Sequence, residues 1–176
     1  MGEMIFKELA KEKQSKGIKA LLIEDVKGEV VLLEKLLLNE AGFSDIELVH
    51  VDSISNGLEY LRKEKFDVIL TDLKLPDSAG LDTFKTLYNE FPGIPILVLT
   101  SHQDEELAIT VLSEGAQDYI PKSQLDEKVL KRSIRYAIKR QGFLQKKNNP
   151  TVWYPQVILQ SALLGLLKAM VNFSYN

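Results

Sequence analysis

With 176 residues, 45% of them hydrophobic, the chain has room for one domain of ordinary size plus a smaller piece, and it can bury a core without covalent staples. Its formal charge of -3 removes any general electrostatic attraction to nucleic acid or to an anionic lipid surface. The absence of cysteine excludes a disulfide framework and a thiolate metal site, and suits a reducing cytoplasm. Residues 1–16 are broken by Lys7, Glu8, Lys11, Glu12 and Lys13, so no signal-peptide apolar region fits there and the stretch reads as a charged, solvated leader.

A regular pattern starts near residue 17. The apolar run at 18–23 stops on the acidic pair Glu24 and Asp25, and Val30, Leu33, Leu36 and Leu37 then recur at helical spacing, with Gly42 as the helix stop. Residues 46–51 read as a second strand, and Ile54, Leu58 and Leu61 mark one face of a helix ending near Lys63. Val68, Ile69 and Leu70 form a continuous apolar segment, the mark of a strand covered on both faces, and it ends at Asp72. Leu81, Phe84, Leu87 and Tyr88 give the next helix its apolar face, and the turn at 91–95 leads into a fourth strand ending at Thr100. Ser101 and Asp104 have capping-box spacing for a helix closed by Gly115, and residues 117–120 form a short fifth strand running into Pro121 and Lys122. Ser123 and Asp126 form a second box, opening a helix that carries Leu130, Ile134, Ala137 and Ile138. Five strands alternating with five helices predict an α/β fold. Its expected form is a flavodoxin-like, doubly wound parallel sheet of order 2-1-3-4-5 with helices on both faces.

In such sheets ligands bind at the carboxyl ends of the strands. Glu24, Asp25, Asp72, Thr100 and Lys122 all fall there. Close carboxylates repel by roughly 4 kcal/mol per pair at an effective dielectric near 20, so this cluster needs a cation or altered protonation. Oxygen-only ligands suit Mg²⁺. The hydroxyl of Thr100 and the ammonium of Lys122 complete a cradle for a phosphoryl group, with Asp72 as its covalent nucleophile.

Glu24-Asp25, Asp72, Thr100 and Lys122, in that order and at those strand ends, resemble the signature of the receiver domain of two-component response regulators; 71–77 and 115–119 are also close to family usage. The resemblance covers residues 17–141. It implies transfer of a phosphoryl group from a kinase phosphohistidine to Asp72, catalysed by the chain itself, with Mg²⁺ held by Asp25, Asp72, Glu24 through water, and the backbone carbonyl of Lys74. It also implies that Lys122 bonds the phosphoryl oxygen, that Thr100 moves to meet it, and that Tyr119 turns inward. The implied partner is a sensor histidine kinase or phosphotransfer protein. One departure stands out: the family commonly has a proline directly after the lysine, whereas here Ser123 follows Lys122 and Pro121 precedes it. Ser123 is thereby free to act as a helix N-cap.

Each residue alone has a plainer reading. The acidic pair is a solvated helix start, Asp72 a turn residue, Thr100 a cap, Lys122 a surface charge and Tyr119 half-buried packing. The first four readings would have to coincide at five positions, which favours the site. His50 and His102 read as surface or loop histidines, with a role for His102 in tuning dephosphorylation as the alternative. Among rival functions, a phosphatase of the haloacid dehalogenase type needs a second Asp where Lys74 stands. A flavodoxin-like carrier needs a phosphate loop where Glu24 and Asp25 would repel it, and the P-loop motif is missing. A receiver that is never phosphorylated and serves as a docking module remains the nearest competitor.

Residues 142–150 are polar and basic, reading as a linker or fraying helix end, and 157–171 are strongly apolar but shorter than the roughly 20 residues that span a bilayer. The expectation is a helix that packs on the receiver or on a second copy, most simply as a homodimer. A membrane-surface helix and the start of an output domain are the alternatives. No direct nucleic acid binding is expected, since 142–176 is too short for a helix-turn-helix module.

Overall fold

The computed structural model describes residues 17–37, 45–100 and 105–147. The chain divides into two units, Met1–Gln141 and Gly142–Asn176, and the sheet with the cores on its two faces belongs to the first. The expected leader at 1–16, the Gly42 helix stop, the box at 101–104 with His102, and the apolar segment at 157–171 lie outside the described residues.

Five strands, Ile18–Ile23 (β1), Ile46–Val51 (β2), Val68–Thr71 (β3), Ile96–Thr100 (β6) and Asp118–Pro121 (β7), form one parallel sheet in the order β2-β1-β3-β6-β7. Lys74–Leu75 (β4) and Ser78–Ala79 (β5) make a small antiparallel pair inside the loop that follows β3. Counted by the strands of the large sheet alone, the order is the flavodoxin-like 2-1-3-4-5 that the sequence predicts. The helices are Lys27–Leu37 (α1), Ile54–Lys63 (α2), Leu81–Glu90 (α3), Glu105–Ser113 (α4) and Glu127–Lys147 (α5).

Strands β3 and β6 are buried at every position because both faces of the sheet are covered, and the side-chain alternation sorts the strands into two cores. Leu21, Ile23, Ile69, Ile96 and Val98 pack with Ile54 and Leu61 of α2, Phe84 and Leu87 of α3, and Val111 of α4. Ala20, Leu22, Val68, Leu70, Leu97 and Leu99 face the opposite way, onto Val30, Leu33 and Leu37 of α1 and Leu130, Ile134 and Ala137 of α5. Each fully buried Leu, Ile or Phe contributes roughly 1.5–3 kcal/mol.

Two of the loops are shaped by glycine. Gly115 has φ +115 after α4, and a Cβ there would meet the Tyr88 ring at 3.0 Å, so the left-handed conformation and the close approach both require glycine. Gly80, at φ +59, precedes α3 and closes the β4–β5 loop through its N–H to the Leu73 carbonyl at 2.7 Å. Fully buried Thr83 secures the same loop, its hydroxyl 2.8 Å from that of Ser78 and 3.4 Å from the Leu73 carbonyl.

The start of α5 departs from the sequence expectation. Ser123 lies in a single turn of 3₁₀ helix, Lys122–Gln124, and the cap of α5 is Asp126, whose carboxylate accepts the Val129 N–H at 2.7 Å. The short turn absorbs the residues after Lys122 and delays the α-helix to Glu127, which leaves Asp126 at the cap position. Pro121 is in β7, and no peptide bond among the described residues is cis. At the far end, the polar stretch from Gly142 is helical through Lys147. No helix among the described residues is long and apolar enough to cross a membrane.

Candidate functional site

Strand pairing brings the chemistry-bearing residues to one edge. The Asp72 N–H donates to the Ile23 carbonyl at 3.1 Å and the Glu24 N–H to that of Val51 at 3.0 Å, so the ends of β3, β1 and β2 are tied side by side. Thr100 closes β6 in register with Pro121 of β7, and Lys122 is the next residue.

Lys122 reaches from β7 to the far side of this edge. Its ammonium donates to Glu24 Oε2 and Asp72 Oδ2, both at 2.6 Å, and to Glu29 of α1. The second oxygen of each strand-end carboxylate is also engaged: Asp72 Oδ1 accepts the Lys74 N–H at 3.0 Å, and Glu24 Oε1 the Val26 N–H at 3.1 Å. Glu24 is fully buried and Asp72 nearly so, with relative exposures of 0% and 4%. The carboxylates of Glu24, Glu29 and Asp72 each bring an oxygen within 4.8 Å of the others, an all-oxygen set of the kind that holds Mg²⁺.

One ammonium shared by three carboxylates neutralises them only in part, and the titration of Lys122 and of Glu24 reflects this. Burial opposes the charge on Lys122, but bonds from Asp72, Glu24 and Glu29 outweigh it and hold the ammonium above the ordinary lysine range. Glu24 is shifted up: burial dominates, and the bonds from Lys122 and the Val26 N–H recover only part of the cost while the charge of Asp72 adds to it. The same contact therefore fixes the charge of Lys122 without making Glu24 a comfortable anion.

The structure brings Glu24, Asp72 and Lys122 together, and leaves Asp25 exposed and outside the carboxylate cluster. Lys74 is exposed in β4, where its backbone N–H serves Asp72. Thr100 is buried at the end of β6, and Tyr119 is half-buried against the core that holds Val98 and Val111.

Sequence reasoning missed Glu29, which lies in the first turn of α1 and looks like a residue placed for the helix dipole. The signal was its place one turn past the acidic pair. It also missed Asp77, whose carboxylate accepts the Ile54 and Ser55 N–H groups at 3.0 Å each and the Ser55 hydroxyl at 2.7 Å, pinning the loop after Asp72 to the start of α2. His50, in β2, donates from Nε2 to the Glu24 carbonyl at 2.8 Å.

Comparison with known proteins agrees with this geometry. The family model of the response regulator receiver domain matches residues 20–135. The DNA-binding transcriptional regulator NtrC of Proteus hauseri is 37% identical over 65 residues, covering 37% of this chain and 14% of that protein. The response regulator protein PilR of Pseudomonas aeruginosa is 32% identical over 104 residues, covering 59% of this chain and 22% of that protein. The chain thus matches only a minor part of these relatives. A crystal structure of a response regulator receiver domain protein from Clostridium thermocellum superposes with a TM-score of 0.62 at 29% identity, over 72% of this chain and 98% of that one. The family model spans more than half of the chain, the solved receiver domain shares its fold, and the chain belongs to the response regulator receiver domain family.

Proposed function

We propose that this receiver takes a phosphoryl group from a kinase phosphohistidine onto Asp72 in a Mg²⁺-dependent reaction, and that the modified site changes conformation to regulate a partner or output domain. The observation that carries this is the bond of Lys122 to Asp72 Oδ2 at 2.6 Å, inside a buried, strongly acidic pocket.

In the reaction a carboxylate oxygen of Asp72 forms the new P–O bond as the P–N bond of the phosphoimidazole breaks, its electron pair leaving on the imidazole nitrogen. The Lys74 N–H orients the carboxylate, and the Lys122 ammonium is close enough to meet the charge that the phosphoryl oxygens bring. Mg²⁺ fits the all-oxygen donor set; Glu24, Asp72, Asp25 and the Lys74 carbonyl are its expected holders, and it would supply charge neutralisation at the transferring group. Thr100 and Tyr119 are the proposed switch residues, since Thr100 pairs with Pro121, the residue before Lys122, and Tyr119 lies in the same strand as Pro121. Val26, Val31 and Leu32 are each about half exposed beside the acidic pair and on α1, a surface suited to a protein partner.

Intact-mass measurement after incubation with a small acyl phosphate and Mg²⁺ tests the assignment. The wild type should gain one hydroxylamine-sensitive phosphoryl group, and Asp72→Asn should gain none. Equal labelling of the two proteins would move the acceptor elsewhere, and no labelling of either would favour a docking module.

A further inference from the structure

An ammonium has three N–H donors. In Lys122 all three are taken, by Glu24, Glu29 and Asp72, so none is left for an incoming phosphoryl oxygen. When Asp72 becomes an acyl phosphate, its bonded oxygen is lost as a carboxylate and the phosphoryl group brings new, more highly charged acceptors. The donor that Asp72 held is freed for one of them, but the phosphoryl oxygens outnumber it and compete for the donors held by the two glutamates, so the ammonium is drawn from whichever of these lets go at the lower cost. Glu24 is fully buried, and in the metal-free protein it would be left with the Val26 N–H alone to offset its charge in the core. The side chain of Glu29 is 30% exposed, is carried on the first turn of a helix whose N-terminal dipole favours its charge, and can turn to water.

We propose that Glu29 is a releasable latch on Lys122. It holds the lysine in the unmodified state and gives it up when Asp72 is phosphorylated. This deepens the proposed function and rests on Asp72 being the phosphoacceptor. Glu29 is a positioning residue that acts through Lys122, and it opposes phosphorylation because its bond to the ammonium exists only in the unmodified protein.

The test compares wild type, Glu29→Gln and Glu29→Asp in the full chain, each at saturating Mg²⁺, with an acyl phosphate as donor. Removing the latch should raise the maximal rate of labelling about tenfold, the value of one charge-assisted hydrogen bond at a partly exposed position. Glu29→Asp keeps the charge but is one methylene too short to reach, so it should match Glu29→Gln; if it matches the wild type, the pocket's field and not the contact is responsible, and the latch is wrong. The carboxyl ¹³C resonance of Glu29 in the wild type should move toward that of a solvated glutamate when the phosphoryl mimic beryllium fluoride is added, and the Lys122 ¹⁵Nζ resonance should move with it. An unmoved Glu29 signal, or equal labelling rates in wild type and Glu29→Gln, overturns the latch while leaving the phosphoacceptor intact. A wild type that takes no phosphoryl group overturns both.

Discussion

The site turns on a charge imbalance at a few atoms. Among the described residues Lys122 is the one ammonium bonded to the cluster, and its removal leaves a fully buried Glu24 beside Asp72 without the cation that offsets their repulsion. Breaking a buried ion pair from one side costs about 3–5 kcal/mol. Lys122→Met should lose stability of that order at neutral pH without divalent cation. The sign of its pH dependence follows from Glu24, whose folded-state pKa already lies above its unfolded value because of burial. A carboxyl that binds its proton more tightly when folded makes stability fall as pH rises from ~4.3 through the folded pKa. Without the ammonium that window widens, so the variant should come close to wild type in acid and fall away toward neutrality. In the wild type the contribution of Lys122 itself is present below ~10.4 and is lost only as pH rises through its elevated folded pKa. Urea unfolding of both proteins from pH 4.5 to 8 checks this, and parallel profiles would show that the ammonium is not the neutralising group.

At the scale of single elements, loop and helix ends carry the shape of the site. Asp77 accepts the first N–H groups of α2, so the carboxylate fastens the loop after Asp72 to that helix. Its pKa is depressed: burial, the largest single influence, pushes it up, but the Ser55 hydroxyl and the Ser55 and Ile54 N–H groups together prevail. A depressed carboxyl contributes stability above the ordinary aspartate value of ~3.9 and loses it as pH falls through the folded value. Because Asp77 is exposed, Asp77→Ala should cost only ~0.5–1 kcal/mol, measured by thermal unfolding near pH 7, and the difference should vanish in strong acid. Gly115→Ala should cost more, about 1–2 kcal/mol, since the new Cβ needs the left-handed conformation and meets the Tyr88 ring. A change within about 0.3 kcal/mol would mean that the turn relaxes freely. These elements also show what the sequence makes legible. The strand ends at Glu24, Asp72, Thr100 and Lys122 are visible because apolar runs stop there. Glu29 and Asp77 are not, because their partners are distant in the chain and each looks locally like an ordinary solvated acid. The misplacement of the α5 cap on Ser123 has the same origin: Ser123 and Asp126 are both good caps, and only the geometry of the 3₁₀ turn selects Asp126.

For the molecule as a whole, the alternating side-chain direction of β1, β3 and β6 divides one sheet between two cores, and the sequence pattern of continuous apolar runs already implied both. What the pattern does not contain is how far the site reaches along the chain. The bonds of Lys122 join it to partners 98, 93 and 50 positions away. Contacts of such separation carry the largest loop-closure cost and form after the local helices and neighbouring strands have begun to assemble. The site is thus expected to form late in folding, and substitutions of Lys122 should act mainly on the unfolding limb of a chevron plot, with little change in the folding limb. A folding rate that falls as much as the equilibrium stability would place the cluster in the nucleus instead. If the limbs behave as expected, the Asp72 carboxylate meets its lysine only once the last strand has docked. On the proposed function, a partly folded chain, in synthesis or after stress, would then expose no competent phosphoacceptor, and a signal could be written only onto a finished molecule.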